Sequence, residues 1–545
     1  MATMLNPTPT GADPPPAAPS VEDPVVRFAS EVAGGPFGRH AGGPRPRRVV
    51  SAVTVLVAAG TVTMAVAVLL RQHCRTTLWA SPDQFTHACY SDLPALFVGA
   101  GLGQGLVPYL DPVDGAYLAQ PVGTGGLLWL LGALAPGGAE ELRWFFDVAA
   151  LLVVVSLAVT VACVARLAGP RPWDAALVAM SPVLVTSSLV SVDLAAVALA
   201  CTGMLALARL RPVTAGVLLG LAVSVRPLAL VVVVAVGLLA VRTGAGGPWW
   251  RFAGGAAGTW AVVNVPVLLM SPAGWASYAR AAWEGTVGYG SLLLLPQLAS
   301  AELGDGRMPW SPPGWLSFAG LAVVTAVAIA LVAASPEVRR RYLPAMSPGV
   351  VLTATAVVLT PVVVVAGGPP ALLALSRVTV SPAVARPVWV ALSVLVVLGV
   401  TVFVLAAPRR PRLPVVVLLL LVGLLVVSQS VPVQAALWVL PFAALAVPSW
   451  RLLLAWAAVE AAYTTGTWLY VYWLTVPDRG LPPWAYAVLL VARTAALLAL
   501  AWRAAEISLH PEEDPVRAAP GRTDPDDPAG GPFRDAPDAL VVAFR

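Results

Sequence analysis

Long apolar runs follow one another along the chain, separated by short segments that carry Arg. A run of about 20 apolar residues can cross a bilayer as a helix, and helices are what a single chain with many such runs can form in lipid. Only 11% of the residues are charged, whereas a soluble domain carries about 25%. The composition therefore excludes a soluble globular enzyme and predicts an all-α, polytopic transmembrane helix bundle.

About fourteen spans are predicted from these runs. They cover residues 49–70, 145–167, 173–189, 193–209, 212–225, 227–241, 252–270, 315–334, 348–367, 386–406, 413–429, 434–447, 452–473 and 484–503. Residues 1–44, rich in Pro, Gly and Ala, are expected to be a disordered cytoplasmic tail, and so is the acidic, Pro-rich segment 505–545. Residues 45–504 are the predicted transmembrane domain.

The Arg residues predict the orientation, because short cytoplasmic loops are enriched in basic residues. If both termini are in the cytoplasm, the basic segments there are Arg45 to Arg48, Arg339 to Arg341 and Arg409 to Arg412. These basic loops account for the net charge of +5, so nucleic-acid binding is not needed to explain it. Two long outer loops result, 71–144 and 271–314.

The apolar run 121–136 is not counted as a span, since a crossing there would invert every later Arg loop. It is predicted to lie on or dip into the outer leaflet, as is the segment 93–104. The hairpin 212–241 has arms of about 14 residues, roughly 21 Å each, against a core of about 30 Å. Its turn, with Arg226 and Pro227, should therefore line a polar cavity below the outer surface.

The four Cys residues divide into two groups. Cys74 and Cys89 share the first outer loop, where oxidising conditions favour a disulfide over two free thiols. Cys163 and Cys201 lie in apolar spans and are expected to pack there. No spacing of the four His residues resembles a zinc site, so no metal site is predicted. The His residues are His40, His73, His87 and His510.

Ionisable residues at membrane depth are costly and therefore mark candidate sites. Asp92, which follows the predicted disulfide, could act as a general base or cap the helix that it begins. Asp193 could cap its own helix or line the same outer cavity. Arg226 could bind a lipid phosphate or extend to the interface. Glu460 and Arg493 lie at similar depth in the last two spans, which favours a buried ion pair.

Several segments resemble glycosyltransferase family 87, the polyprenyl-phosphate-mannose-dependent mannosyltransferases and their relatives. The most specific is the first-loop block that reads WASPDQFTHACYSDLPALF, GLVPYLD and YLAQPVGTGGLLWL between Trp79 and Leu130. Further resemblance lies at WDAALVAMSP, SVDLAAVALA, RPVTAGVLLGLAVSVRPLAL and PVQAALWVLPFAAL. Together these cover most of residues 45–505, with a patchy match across 300–400.

The resemblance implies the C-type glycosyltransferase (GT-C) fold, with a catalytic carboxylate in the first outer loop at Asp92. Arg226 stands where the family often has Lys, and this chain has no Lys. Gln120 stands where many relatives have Glu, and the turn at Ser430 lacks their Lys. The remaining candidates for lining the cavity are Asp193, His87, Tyr90, Gln120 and Gln434.

The implied reaction is an inverting transfer of a sugar from a polyprenyl phosphate to a glycolipid or glycan acceptor of the cell envelope. Mannose is the family's usual cargo, and arabinose or another pentose remains open. The chain is expected in the cell membrane with its site on the extracytoplasmic side, and membrane lipids are its expected surroundings. The donor is a substrate, no cofactor is expected, and nothing indicates a divalent cation. A catalytically silent scaffold and a lipid or sugar transporter are the alternatives.

Overall fold

The computed structural model describes residues 51–169, 171–304, 382–476, 479–517 and 527–542, which form helices joined by turns. No β-strand occurs in these ranges, where an isolated bridge joins Val113 and Ala116. The predicted all-α class is therefore confirmed for the described residues. The predicted tail 1–44 and the predicted spans 315–334 and 348–367 lie outside them.

The α-helices of the described ranges are α1 to α19 in chain order. Helices α1 to α8 are Ala52–Leu70, Gln72–Thr76, Asp83–Thr86, Asp92–Gly99, Val122–Leu134, Glu141–Leu167, Ala176–Ala179 and Pro182–Ser187. Helices α9 to α14 are Asp193–Ala208, Pro212–Val225, Leu230–Thr243, Gly246–Met270, Pro272–Glu284 and Leu295–Gly304. Helices α15 to α19 are Pro382–Ala406, Leu413–Val427, Ala436–Ala446, Trp450–Thr475 and Pro483–Leu509.

Five helices of the described ranges are long and apolar enough to cross a membrane: α1, α6, α12, α19 and the part of α15 from Val384 to Ala406. Their outer faces are apolar. On α15, for example, Leu395 is 61% exposed and Leu398 is 55% exposed. Such a face is unfavourable in water and compatible with lipid. These helices indicate a membrane protein.

The shorter apolar helices α16 and α17 lie in the interior of the bundle. All 11 residues of α17 are buried, including Trp438 and Phe442. Helix α16 packs against α11, α15, α17 and α19. A helix that is enclosed by protein can be shorter than the hydrocarbon core, because neighbouring helices and loops hydrogen-bond the backbone groups at its ends.

The predicted span 173–189 is wrong as a continuous helix. The structure divides it into the 3-10 turn Pro172–Ala175 and the short helices α7 and α8. The break falls at Ser181, which is extended and whose hydroxyl accepts a hydrogen bond from the Val183 amide at 3.3 Å. Pro182 causes it, since proline disfavours helical backbone in the residue before it and has no N–H to donate.

Two contacts lie near opposite ends of α17. In the 3-10 turn Val433–Ala435, directly before α17, the Gln434 side chain donates to Asp92. At the end of the same helix, the Leu445 and Ala446 carbonyls accept from Arg412.

The prediction of a disordered segment from residue 505 is wrong for its described parts. Helix α19 continues to Leu509, and the residues after it pack on the bundle. Asp514 accepts two hydrogen bonds from Arg412, at 2.7 and 3.0 Å, and the Asp538 carboxylate pairs with buried Arg242 at 2.8 Å. Buried Asp527 accepts from the Leu413 amide at 2.7 Å. Acidic composition suggested solvation, whereas these carboxylates neutralise Arg side chains and cap α16.

The Asp514–Arg412 pair gives a testable consequence for stability. Both side chains are almost completely buried, so Asp514→Ala removes the carboxylate that neutralises a buried guanidinium and leaves it only its two carbonyl partners. We expect a loss of about 3–5 kcal/mol, measured by unfolding in mixed micelles. The matched control is Glu512→Ala, because the Glu512 side chain is 71% exposed and such changes usually stay within about 0.5 kcal/mol. Equal stability of the two variants would contradict the assignment.

Candidate functional site

Asp92 is held in place by the backbone around it. Its amide donates to the Val190 carbonyl at 2.9 Å, and the Ser91 hydroxyl donates to the Leu189 carbonyl at 2.8 Å. These bonds fix the start of α4 on the turn that precedes α9. Ser91 is the N-cap of α4, since its hydroxyl accepts from the Leu93 amide at 3.3 Å. The prediction of Asp92 as the cap is wrong, because Asp92 is already the first helical residue and its carboxylate is available for another role.

The Asp92 carboxylate lies in a half-buried, polar environment without an ion-pair partner among the described residues. The Gln434 side chain donates to its Oδ2 at a long 3.4 Å. The Tyr90 hydroxyl is also hydrogen-bonded to the carboxylate. Burial raises the pKa of Asp92 above its ordinary value, and the Tyr90 hydrogen bond and the charge of Arg226 only partly offset that rise. A carboxylate that holds its proton more strongly than usual is suited to accepting one from a substrate.

The second part of the site is an ion pair next to Asp92. Arg226 ends α10 in an extended conformation, and its Nε donates to Asp193 Oδ1 at 2.7 Å. Its Nη1 donates to Gln120 Oε1 at 2.8 Å. The sequence left open that Arg226 extends to the membrane interface. Instead, its side chain joins α9 to the segment before α5. Its side chain remains 14% exposed.

Asp193 is held from three sides. The Ser191 hydroxyl donates to Oδ1 at 2.6 Å, and the indole N–H of Trp438 lies 3.3 Å from Oδ2. Ser191 also accepts from the Asp193 amide at 3.3 Å. Asp193 is thus a buried anchor for Arg226, not the cap of its helix.

Sequence reasoning missed Ser191, Trp438 and Tyr109. Trp438 follows Gln434 by four residues, and that spacing brings both side chains to one face of a helix. This spacing could have identified Trp438 from the sequence. The Tyr109 hydroxyl donates to the Pro121 carbonyl at 2.7 Å and accepts from the Gly125 amide at 3.1 Å. It thereby fixes the start of α5 beside Gln120. Only a residue without Cβ fits at position 125, because a Cβ there would meet the Tyr109 ring.

The structure brings together Asp92, Tyr90, Gln434, Asp193, Arg226 and Gln120, which the sequence nominated from five separate segments. His87 is not brought to this group. Its side chain is 46% exposed, and its ring stacks on His73 with 3.7 Å between the ring centroids. The prediction of His87 as a residue of the same cavity is therefore not supported by its contacts.

Two further sequence predictions concern covalent and ionic links. Cys74 and Cys89 form a disulfide, as predicted, and Cys163 and Cys201 are buried free thiols. Glu460 and Arg493 form the predicted buried pair, with Arg493 Nε donating to Glu460 Oε1 at 2.8 Å. These links stabilise the structure around the site and do not contact Asp92.

One group of potential metal ligands occurs in the described residues, although the sequence predicted no metal site. It consists of His73, Asp83 and His87, in the loop that the disulfide closes. The missed signal is the spacing of four residues between Asp83 and His87. Among the described contacts, none joins these three side chains to Asp92.

No protein-family model matches the chain, and no curated protein matches it.

Proposed function

We propose that the chain is a membrane glycosyltransferase that transfers a sugar from a polyprenyl-phosphate donor to a hydroxyl of an envelope glycolipid or glycan. The observation that carries this proposal is the Asp92 carboxylate, half-buried and without an ion pair among the described residues, beside the cation Arg226. A base and a phosphate-binding cation are the two groups that an inverting transfer needs. Mannose is the proposed sugar.

In the proposed mechanism, Asp92 accepts the proton of the acceptor hydroxyl as its oxygen attacks the anomeric carbon. The bond between that carbon and the phosphate oxygen breaks on the opposite face, and the polyprenyl phosphate leaves. Because attack and departure are on opposite faces, the anomeric configuration inverts and no covalent enzyme intermediate forms. Gln434 and Tyr90 orient the Asp92 carboxylate through their hydrogen bonds.

Arg226 has the geometry to assist the departing phosphate. Its Nε and Nη2 face Asp193, and its Nη1 donates to Gln120. A guanidinium has five N–H groups, so one N–H on each terminal nitrogen is left to contact an anion. Gln120 preserves the contact with Arg226 that a Glu could make, and it does so without adding a negative charge. The departure from Glu at this position is therefore compatible with phosphate binding.

We further propose the GT-C arrangement with about fourteen spans and both termini in the cytoplasm. It places the Asp92 group on the extracytoplasmic side, where a lipid-linked sugar reaches it from the outer leaflet. The Arg-rich end of the bundle, with Arg412 and Arg242, then faces the cytoplasm, as basic residues prefer.

The direct test uses purified full-length protein in nanodiscs, a labelled polyprenyl-phosphate mannose and a panel of envelope glycolipids. Transfer of label to an acceptor that requires Asp92 supports the proposal. Movement of the labelled lipid between leaflets without sugar transfer would indicate that the protein is a transporter. Neither transfer nor movement, in protein that is monodisperse and retains its disulfide, would favour a silent scaffold.

Arg226 should matter for the donor more than for the acceptor. A hydrogen bond to a charged group contributes about 1.5–3 kcal/mol. Arg226→Ala is therefore expected to raise the donor KM by roughly ten- to a hundredfold and to leave the acceptor KM nearly unchanged. Arg280→Ala is the control, because Arg280 is an exposed Arg of α13. An equal effect on both KM values would argue against a phosphate contact.

A further inference from the structure

The loop between residues 73 and 89 gathers two His side chains around one carboxylate. Asp83 Oδ2 lies 2.5 Å from His73 Nε2, and Asp83 Oδ1 lies 3.2 Å from His87 Nδ1. The two imidazole rings stack with their centroids 3.7 Å apart. The ligand atoms of all three side chains lie within 4.8 Å of one another.

These separations are close to those of a zinc coordination shell. Zn²⁺ binds imidazole nitrogen and carboxylate oxygen at about 2.0–2.2 Å, so tetrahedral ligand atoms lie roughly 3.3 Å apart. The distance of 3.2 Å between His87 Nδ1 and Asp83 Oδ1 has this value, whereas His73 contacts the other oxygen, Oδ2. The His73–Asp83 distance of 2.5 Å requires an opening of less than an ångström, which side-chain rotation can supply.

The backbone holds the three residues together before any ion binds. His73 directly precedes Cys74, and His87 lies two residues before Cys89, so the disulfide fixes both arms of the loop. Asp83 and His87 are four residues apart across the turn of α3, which directs both side chains to one side. On the other side, Phe85 is buried and stacks on Tyr90.

We propose that His73, Asp83 and His87 bind a divalent transition-metal ion, with Zn²⁺ as the expected ion. Two imidazoles and one carboxylate are ligands that Zn²⁺ prefers over Ca²⁺ or Mg²⁺, which favour oxygen-only shells. The three side chains are 37–46% exposed, so a fourth position is open to water or to another ligand. The proposal does not depend on the transferase reaction.

A bound ion would join the two arms of the loop in addition to the disulfide. It would also fix α3, whose Phe85 packs against Tyr90 and Trp468. The first effect to measure is therefore metal-dependent stability, which can be read without any assay of sugar transfer.

The experiment uses the untagged full chain, stripped with EDTA and then titrated with Zn²⁺ by calorimetry. Co²⁺ absorption in the visible range provides an independent readout of nitrogen ligands. We expect the wild-type chain to bind a single Zn²⁺ with a rise in Tm. The double variant His73→Gln, His87→Gln should bind at least about tenfold more weakly. His510→Gln is the matched control, since His510 is an exposed His that pairs with Glu512 away from this loop.

Two results would overturn the site: absence of saturable Zn²⁺ binding by the wild-type chain, or equal affinity in the wild type and the double variant. If the double variant does not fold, Asp83→Asn answers the same question. It retains the size and a hydrogen-bonding oxygen of Asp83 but lacks the charge, and its Zn²⁺ affinity should also fall. Unchanged affinity in a folded Asp83→Asn protein would likewise exclude the site.

Discussion

Replacing Asp92 with Asn is expected to lower sugar transfer by roughly 10²–10⁴-fold, which is the usual contribution of a general base. Asn has nearly the same shape and keeps an oxygen that can accept from Gln434 and Tyr90. It has no charge to stabilise a transferred proton. Folding should be unaffected, because the Ser91 hydroxyl and the Asp92 amide make the bonds that fix the start of α4.

The matched control for this variant is Asp114→Asn. Asp114 is an exposed aspartate of the same outer segment and has a positive φ of 48°, which Asn tolerates well. Its variant should transfer sugar at the wild-type rate. A folded Asp92→Asn protein with wild-type turnover would remove Asp92 from the catalytic role.

The pH profile provides a second readout of the same carboxylate. Because burial raises the pKa of Asp92, its base form is lost at a higher pH than that of an ordinary aspartate. Turnover should therefore rise with pH through an acid limb that lies above the ordinary aspartate value, and Asp92→Asn should abolish this limb. An acid limb that persists in the variant would belong to another group.

The buried pair Glu460–Arg493 should dominate the stability of α18 and α19. Both side chains are at most 2% exposed, and the guanidinium also lies 4.5 Å from the Tyr463 ring centroid. Glu460→Ala or Arg493→Ala alone leaves an unpaired charge in the bundle and should cost about 3–5 kcal/mol. The double variant removes both charges and should be more stable than the sum of the two losses predicts.

The measurement is a double-mutant cycle of unfolding free energies in mixed micelles. The coupling free energy is the difference between the double variant's loss and the sum of the single losses. Strict additivity would mean that the two charges do not depend on each other. That result would contradict a direct ion pair at 2.8 Å.

Local patterns were enough to predict most helices and several pairings. The helix Pro212–Val225 has the bounds that its apolar run predicts, and equal depth in neighbouring helices was enough to pair Glu460 with Arg493. The disulfide followed from two Cys residues in one outer segment. Each of these predictions depends on residues whose placement is determined by membrane depth or by a short loop.

Contacts between distant segments could not be predicted in this way. Asp193 and Arg226 were each assigned to a cavity, but their mutual bond depends on how α9 and α10 pack. Asp514 is 102 residues from Arg412, and the acidic, Pro-rich composition of its segment does not indicate which residue it pairs with. The His73 group was missed for a related reason, since a ligand ten residues away is brought near only by the fold of the loop.

The docking of Asp514 on Arg412 has a consequence for biosynthesis. At about 5–20 residues per second, a ribosome needs roughly 5–20 s to make the 102 residues from Leu413 to Asp514. Throughout that interval Arg412, at the start of α16, lacks the Asp514 carboxylate that pairs with it in the finished fold. Chains that end before Asp514 cannot form this buried pair, so we expect them to be less stable than the full chain.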